Sequence, residues 1–273
     1  MCRWMAYSGN SLPIEVLLFE ARHNLIDQSL ASQSSRTPTN ADGFGLGWYG
    51  AREAPGLFHS IRPAWNDTNL RDLAAHIDSP LYLAHVRSTS QATVQETNCH
   101  PFRHGKWLFV HNGEIADIRK LRRDLVLGVD PARYCDILGS TDSEIMFHLA
   151  LSFGLERDPL GGLARMVGFV EEVGRAHGVD ESIWMTVGVS DGESVWAVRY
   201  ASDGKGPSLY YSRDVKDLKL LDEDAAEHLG AHARAIVSEP VGSFVGNWVE
   251  VPQSMSVHVK HGDIVLEPFA PSS

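Results

Sequence analysis

The sequence has 273 residues, of which 43% are hydrophobic, and its formal net charge at pH 7 is −11. This size and apolar content suffice for one large buried core, so we expect a single domain over residues 1–273. The negative charge disfavours a nucleic-acid partner. Because no apolar stretch approaches the ~20 residues of a membrane span, and charges interrupt the first thirty positions, we expect a cytoplasmic protein without membrane contact.

The three cysteines are Cys2, Cys99 and Cys135. This sparse and odd number disfavours a disulfide framework, and we expect Cys99 and Cys135 to be buried packing residues. Cys2 is different because removal of Met1 would make it the N-terminal residue. Its α-amine, with an ordinary pKa near ~8, could then accept the proton of its own thiol. The position alone does not establish catalysis, since a chain can begin Met-Cys without any catalytic role.

The first third of the sequence predicts strands separated by a loop. Residues 3–8 predict a strand, and Pro13 stands where a helix could begin. Residues 29–40 are rich in polar residues and indicate a surface loop. Residues 42–49 alternate glycine with large apolar residues, which is typical of a strand that another backbone or a ligand approaches closely. This segment also fits a dinucleotide-binding glycine pattern, but the match is weak because no long helix follows it.

The rest of the sequence predicts helices followed by strands. We expect a helix over residues 69–77 and buried strands over residues 81–86 and 107–110. Thr141 and Glu144 have capping-box spacing, which predicts a helix that starts near Asp142. The basic run of residues 119–123 indicates a solvated helix face. Asp191-Gly192 predicts a hairpin turn, and four strand-like runs follow it, at residues 208–211, 235–237, 256–259 and 264–266. These elements favour packed sheets with helices outside them, an α+β fold.

Polar clusters near the predicted strand ends could together catalyse amide hydrolysis. A thiolate that attacks an amide requires N–H donors for the developing oxyanion, and Asn112-Gly113 could supply them. A substrate with an α-amino-acid end requires a cationic clamp and an acidic partner, which suits Arg87 and Asp142. Taken singly, these features have structural interpretations: Asn112-Gly113 alone indicates a hairpin turn, and Asp142 could serve only the helix N-terminus.

An ordered series of motifs carries a family resemblance. The sequence contains Met-Cys, Asn-Ala-Asp-Gly-Phe-Gly, His-x-Arg-x-x-Ser, His-Pro-Phe, His-Asn-Gly and Thr-Asp-Ser-Glu, in that order over about the first 150 residues. In this respect it resembles the class II glutamine amidotransferases, whose glutaminase domain is an N-terminal-nucleophile (Ntn) hydrolase. The resemblance implies a four-layer αββα sandwich of two antiparallel sheets between helical layers, in agreement with the α+β prediction.

The resemblance also assigns roles to residues. It implies that Cys2 is the nucleophile and that Asn112 and Gly113 form the oxyanion hole. It also implies a substrate pocket of four residues: Arg87, Ser90, His100 and Asp142. In this assignment Arg87 binds the substrate α-carboxylate and Asp142 the α-ammonium group. We expect no cofactor and no metal, because the histidines lack the spacing of a zinc site and are expected to be structural.

The resemblance implies a γ-glutamyl substrate. Residues 88–91 read Ser-Thr-Ser-Gln, whereas biosynthetic members usually carry Trp and Ala-Thr-His after the clamp arginine, so the wall beside the glutamyl group differs. The size is similar to that of stand-alone members, including the amidohydrolase of ergothioneine biosynthesis. We therefore expect hydrolysis of glutamine or a γ-glutamyl conjugate through a Cys2 thioester. Two alternatives remain: a glutaminase subunit that delivers ammonia to a separate synthase, and a non-catalytic binding module that retains Met1. Whether the protein forms a homo-oligomer also remains open.

Overall fold

The computed structural model describes residues 2–31, 39–89, 92–214, 229–242 and 248–272. The strands in these ranges are β1 (Arg3–Pro13), β2 (Phe44–Trp48), β3 (Gly56–Ser60), β4 (Asp78–Val86), β5 (Phe102–His104), β6 (Trp107–Ile115), β7 (Ile183–Ser190), β8 (Ser194–Ala201), β9 (Tyr210–Ser212), β10 (Arg234–Val237), β11 (Trp248–Glu250), β12 (Met255–Lys260) and β13 (Asp263–Pro268). The α-helices are α1 (Glu15–Leu18), α2 (Leu25–Leu30), α3 (Thr68–His76), α4 (Ile118–Leu127), α5 (Asp142–Ser152) and α6 (Pro159–Ala176).

The described strands form two antiparallel sheets. The first has the order β11-β9-β10-β1-β4-β2-β3, and the second has the order β13-β12-β8-β7-β6-β5. In the first sheet β1 pairs with β4 on one side and with β10, from the C-terminal part of the chain, on the other. Strand β1 therefore lies in the interior of the first sheet.

Three apolar cores separate four layers. The core between the two sheets includes Trp4, Leu83, Val110 and Ala197. A second core fills the space between the first sheet and α1–α3, and a third fills the space between the second sheet and α4–α6. Because side chains alternate along a strand, each sheet buries one face against the other sheet and the opposite face against helices. The predicted αββα sandwich is confirmed.

Most of the predicted elements are present. The strands at both ends of the chain, the Asp191-Gly192 hairpin and the helix that begins at Asp142 lie where the sequence places them. As predicted, β2 is followed by a turn into β3 and not by a helix. The described part of the chain contains no helix long and apolar enough to cross a membrane.

Three predictions need correction. The predicted loop of residues 29–40 begins too early, because α2 extends to Leu30. This helix is capped by the Asn24 side chain, which accepts from the Asp27 N–H at 2.9 Å. Residues 32–38 of the predicted loop lie outside the described ranges. Cys99 is buried as expected, whereas Cys135 is exposed in a 3-10 turn. The predictions also omit α6, whose four glycines weaken its helical signal.

Candidate active site

The pairing of β1 with β4 positions Cys2. Arg3 lies opposite Val86 in the register of these strands, so Cys2 comes to lie beside the segment that follows β4. Its Sγ atom is 3.5 Å from both the N–H nitrogen and the carbonyl oxygen of Ser88. The Cys2 side chain is half-buried at this end of the sheet.

A buried ion pair fixes the backbone next to Cys2. The Arg3 Nε atom lies 3.0 Å from Glu239 Oε2, and each side chain is only 3% exposed. A second guanidinium nitrogen of Arg3 donates to the Cys2 carbonyl oxygen at 2.9 Å. The adjoining Ser238 exchanges two bonds with Trp4, through the Ser238 N–H at 3.0 Å and the Ser238 hydroxyl at 3.1 Å. The chain beside the thiol is thus held by residues that follow β10.

Asn112 and Gly113 lie within β6, opposite Thr186 and Met185 of β7. The turn that the dipeptide alone indicates is therefore absent, because the strand continues through it to Ile115. The indole N–H of Trp4 donates to the Thr186 hydroxyl at 3.1 Å. This bond joins the two sheets next to the strand that carries Asn112.

The first turn of α5 brings Asp142 to the end of β6. Thr141 caps the helix, since its hydroxyl accepts from the Glu144 N–H at 3.1 Å. The Glu144 carboxylate accepts from the N–H groups of Leu138 and Gly139. It does not accept from the Thr141 N–H, so the reciprocal bond of a capping box is not formed. Asp142 Oδ2 accepts from the Ile115 N–H at 2.8 Å. Asp142 is consequently held two residues along the strand from Gly113.

These elements surround a cavity of about 350 Å³. Five of the predicted site residues line it together: Cys2, Arg87, His100, Gly113 and Asp142. Asn112 is buried beside Gly113 and does not itself line the cavity. Ser90 lies outside the described ranges.

The guanidinium of Arg87 is oriented by main-chain carbonyls. Its two terminal nitrogens donate to Asp42 at 3.2 Å and to Thr93 at 3.1 Å. The Asp42 carboxylate in turn accepts from the Thr89 N–H at 2.8 Å. Because an arginine has five N–H donors, these two bonds leave donors for a carboxylate in the cavity.

The surroundings of Cys2 favour a protonated thiol. Burial raises the pKa of the Cys2 thiol, and the Ser88 N–H and the positive charge of Arg87 only partly oppose this effect. A protonated thiol is a poor nucleophile until a base removes its proton. A nucleophilic Cys2 would therefore require a proton acceptor next to it.

Three buried histidines lie at the cavity, of which His100 and His111 line it, and burial favours the neutral form of all three. Burial lowers the pKa of His85 to about 3 and the pKa of His100 well below its usual range, and it also lowers the pKa of His111. The His85 and His100 rings are 4.1 Å apart. Within the described ranges, no three or more His, Cys, Asp or Glu side chains are grouped as metal ligands.

Several residues around the cavity carry no role in the sequence predictions. Ser143 links His111 Nδ1, at 2.7 Å, to Asp142 Oδ1, at 3.3 Å. Arg119 and Arg122 of α4 also line the cavity, and their spacing of three residues along a helix was the signal that could have identified them. Glu239 gave no such signal, because 236 residues separate it from Arg3.

Comparisons with known proteins agree with the fold. Residues 22–266 match the family model of class II glutamine amidotransferases. The chain is 32% identical to the probable glutamine amidotransferase DUG3 of Saccharomyces cerevisiae, over 98% of this chain and 84% of that protein. It is 28% identical to the gamma-glutamyl-hercynylcysteine sulfoxide hydrolase of Mycolicibacterium smegmatis, over 53% of this chain and 69% of that protein.

Solved structures have the same architecture. A glutamine aminotransferase class-II domain protein from Silicibacter pomeroyi is 32% identical, with a TM-score of 0.74, over 99% of this chain and 100% of that chain. The glutamine phosphoribosylpyrophosphate amidotransferase of B. subtilis is 12% identical, with a TM-score of 0.64, and the match covers 99% of this chain and 50% of that chain. The second similarity concerns the fold alone.

Proposed function

The chain belongs to the class II glutamine amidotransferases, a family of amide-hydrolysing enzymes, and we propose that it is a stand-alone hydrolase of γ-glutamyl amides with Cys2 as its N-terminal nucleophile. One observation carries this proposal: Cys2, Arg87, Gly113 and Asp142 line the same cavity, although they come from four separate parts of the chain. The name of the mycobacterial relative, a gamma-glutamyl hydrolase, supports a γ-glutamyl conjugate as substrate.

The substrate's glutamyl group is bound by two charged residues in this proposal. Arg87 binds the α-carboxylate, with donors that its bonds to Asp42 and Thr93 leave available. Asp142 binds the α-ammonium group, and its bond from the Ile115 N–H holds the carboxylate toward the end of β6. The side-chain amide of the substrate then extends toward Cys2.

Removal of Met1 supplies the base. The freed α-amine takes the thiol proton, and Sγ attacks the amide carbon to form a C–S bond. The Gly113 N–H stabilises the oxyanion. The family resemblance assigns the Asn112 side-chain amide to the same role, although Asn112 does not line the cavity in this structure. The C–N bond breaks as the amine returns the proton to the departing nitrogen. Water then attacks the thioester carbon, which releases glutamate and restores the Cys2 thiol.

The test compares the parent enzyme with Cys2→Ser and Cys135→Ser, the latter removing an exposed thiol as a matched control. We expect the parent and Cys135→Ser proteins to lack Met1, to hydrolyse γ-glutamyl amides and to form a Cys2 thioester that is visible in the intact mass. Cys2→Ser should lose the thioester and at least ~1,000-fold in kcat/KM. A parent protein that retains Met1 and hydrolyses neither glutamine nor any γ-glutamyl amide would refute the proposal. Hydrolysis only in the presence of a partner synthase would indicate a glutaminase subunit.

A further inference from the structure

A buried asparagine joins the two segments that border Arg87 and Asp142, the proposed clamps for the amino-acid end of the substrate. Asn98 ends a 3-10 turn, Glu96–Asn98, and its side chain is fully buried. Its amide makes hydrogen bonds to two other segments, one at Thr93 and the other at Ser140. Both of these residues line the cavity, whereas Asn98 does not.

The first of these segments orients the guanidinium of Arg87. The Thr93 carbonyl oxygen accepts from Asn98 Nδ2 at 2.8 Å and from a terminal nitrogen of Arg87 at 3.1 Å. One carbonyl oxygen can accept both bonds, because it has two lone pairs. The bond from Asn98 therefore fixes the direction of the carbonyl group against which Arg87 is oriented.

The second segment leads into α5 and Asp142. Asn98 Oδ1 accepts from the Ser140 N–H at 2.7 Å, and Nδ2 donates to the Ser140 hydroxyl at 3.0 Å. The preceding residue, Gly139, approaches so closely that a methyl group there would overlap Asn98 Oδ1. Asp142 follows two residues after Ser140, so the segment that precedes the helix is fixed by the same amide.

The position requires an amide. Asn98 uses its two N–H donors and its carbonyl oxygen at once, and it uses them on both segments. A carboxylate in its place would lack the donors, and an aliphatic side chain would lack the donors and the acceptor. Removing the amide takes hydrogen bonds from both segments together, so that they are free to shift relative to each other.

We infer that Asn98 is a positioning residue, which holds Arg87 and Asp142 in register so that both bind the same α-amino-acid end. This inference rests on the proposed function and adds a residue that its recognition of the substrate requires. A substrate with both charges needs both clamps at a fixed separation. A substrate with a single charge uses one clamp, and it therefore tolerates a shift of one segment relative to the other.

The experiment compares γ-glutamylglycine with two truncated forms: glutarylglycine, which lacks the α-ammonium group, and γ-aminobutyrylglycine, which lacks the α-carboxylate. Release of glycine is measured for each. We expect the parent enzyme to prefer the complete substrate over either truncated form by roughly 30-fold in kcat/KM. Asn98→Ala should lower kcat/KM at least about tenfold for the complete substrate and less than about twofold for the truncated forms.

A second variant and a control accompany Asn98→Ala. Ser140→Ala removes the hydroxyl that Asn98 binds and keeps the N–H bond, and Ser140 is exposed, so we expect this variant to fold normally. It should reduce both preferences by a smaller factor, about twofold. Asn24→Ala is the matched control, because Asn24 is also buried and its amide also makes three hydrogen bonds, but it caps α2 outside the site. It should lower the urea midpoint and leave both preferences at their parent values.

The possible failures are distinguishable. A parent protein that hydrolyses neither γ-glutamylglycine nor glutamine would refute the proposed function itself. Hydrolysis with preferences that Asn98→Ala and Ser140→Ala leave unchanged would overturn the positioning role alone. An equal loss on all three substrates would also overturn it, because a general loss of structure affects them alike. If Asn98→Ala fails to fold, the preferences of Ser140→Ala decide between these outcomes.

Discussion

At the scale of single residues, Arg3 connects Cys2, the proposed nucleophile, to the rest of the molecule. Its guanidinium binds the Cys2 carbonyl oxygen and the Glu239 carboxylate, and His23 lies 2.8 Å from the other oxygen of that carboxylate. The side chains of Arg3, Glu239 and His23 do not line the cavity. Glu239 is therefore a positioning residue, which acts on Cys2 through Arg3.

Glu239→Gln should impair both stability and catalysis. The substitution removes one charge of the buried pair with Arg3, so we expect the free energy of unfolding to fall by about 3 kcal/mol. The backbone at Cys2 would lose its restraint, and misplacement of a reacting atom by ~1 Å costs up to about 100-fold in kcat. Urea unfolding measures the loss of stability. The effect on catalysis is measured by kcat and by the rate of Cys2 alkylation by iodoacetamide.

Glu250→Gln is the control for this substitution. Glu250 also pairs with an arginine, Arg199, but its side chain is 54% exposed. We expect a loss below about 1 kcal/mol and unchanged alkylation of Cys2. If Glu239→Gln lowers stability while kcat and alkylation keep their parent values, Arg3 has only a structural role.

Gly113 cannot carry a side chain. Its φ is +148°, and a methyl group there would overlap the Trp184 carbonyl oxygen across the sheet. We expect Gly113→Ala to lower the free energy of unfolding by at least about 3 kcal/mol, because the clash is with backbone that cannot rotate away. Gly105→Ala, at φ +55° with open space around it, should cost only about 1 kcal/mol. Similar urea midpoints for the two variants would contradict this explanation.

At the scale of secondary structure, the start of α5 combines a structural cap with the proposed substrate site. Thr141 caps the helix, and the next residue, Asp142, bonds to the end of β6. Fraying of the first turn would therefore displace the carboxylate that we assign to the substrate's ammonium group.

Thr141→Ala should lower the free energy of unfolding by about 1 kcal/mol through loss of the cap, and it should raise KM. Asp158→Ala is a matched control, because Asp158 caps α6 in the same way, accepting from the Gly161 N–H at 3.0 Å. It should lose similar stability without a change in KM. Equal KM values for the two variants would show that loss of the Thr141 cap does not affect the proposed substrate site.

The elements that the sequence predicted are those with a local signal. Thr141 and Glu144 marked the start of α5, and Asp191-Gly192 marked the hairpin between β7 and β8, because caps and tight turns depend on neighbouring residues. Helix α6 was missed because glycine lowers helix propensity. Two of its glycines are instead required by packing, since a side chain at Gly162 would meet Leu155 and one at Gly174 would meet Ser182.

The sequence predicted only part of the site, because local patterns do not encode contacts between distant parts of the chain. Its motif residues lie in short sequence patterns, and five of them line one cavity. The bond between Arg3 and Glu239 depends on the pairing of β1 with β10, which no local pattern encodes. The position of Arg119 and Arg122 likewise depends on how α4 packs against α5 and α6.

At the scale of the whole molecule, buried neutral histidines limit stability in acid. His148 is buried on α5, and burial lowers its pKa to about 4, as it lowers the pKa of His85 to about 3. In the unfolded chain histidine titrates near ~6.5, so as the pH falls below that value the unfolded state binds the proton first. Stability is therefore full above pH ~6.5 and decreases toward the folded-state pKa values.

We expect the free energy of unfolding to fall between pH 7 and pH 5, with each such histidine contributing roughly 1 kcal/mol per pH unit. His148→Gln should reduce this slope, because it removes one of the groups that titrates on unfolding. His76→Gln, at an exposed position on α3, should keep the parent slope. Urea titrations at several pH values test this, and an unchanged slope in His148→Gln would refute the assignment.

The placement of β1 between β4 and β10 has a consequence for how the protein matures. The Cys2 segment meets two of its restraints, Ser238 and Glu239, only after more than two hundred further residues have been synthesised. A nascent chain that has folded only its first half would present the thiol without those restraints. Under the proposed function, hydrolytic competence should thus arise late in synthesis, once residues 238 and 239 have paired with the first strand.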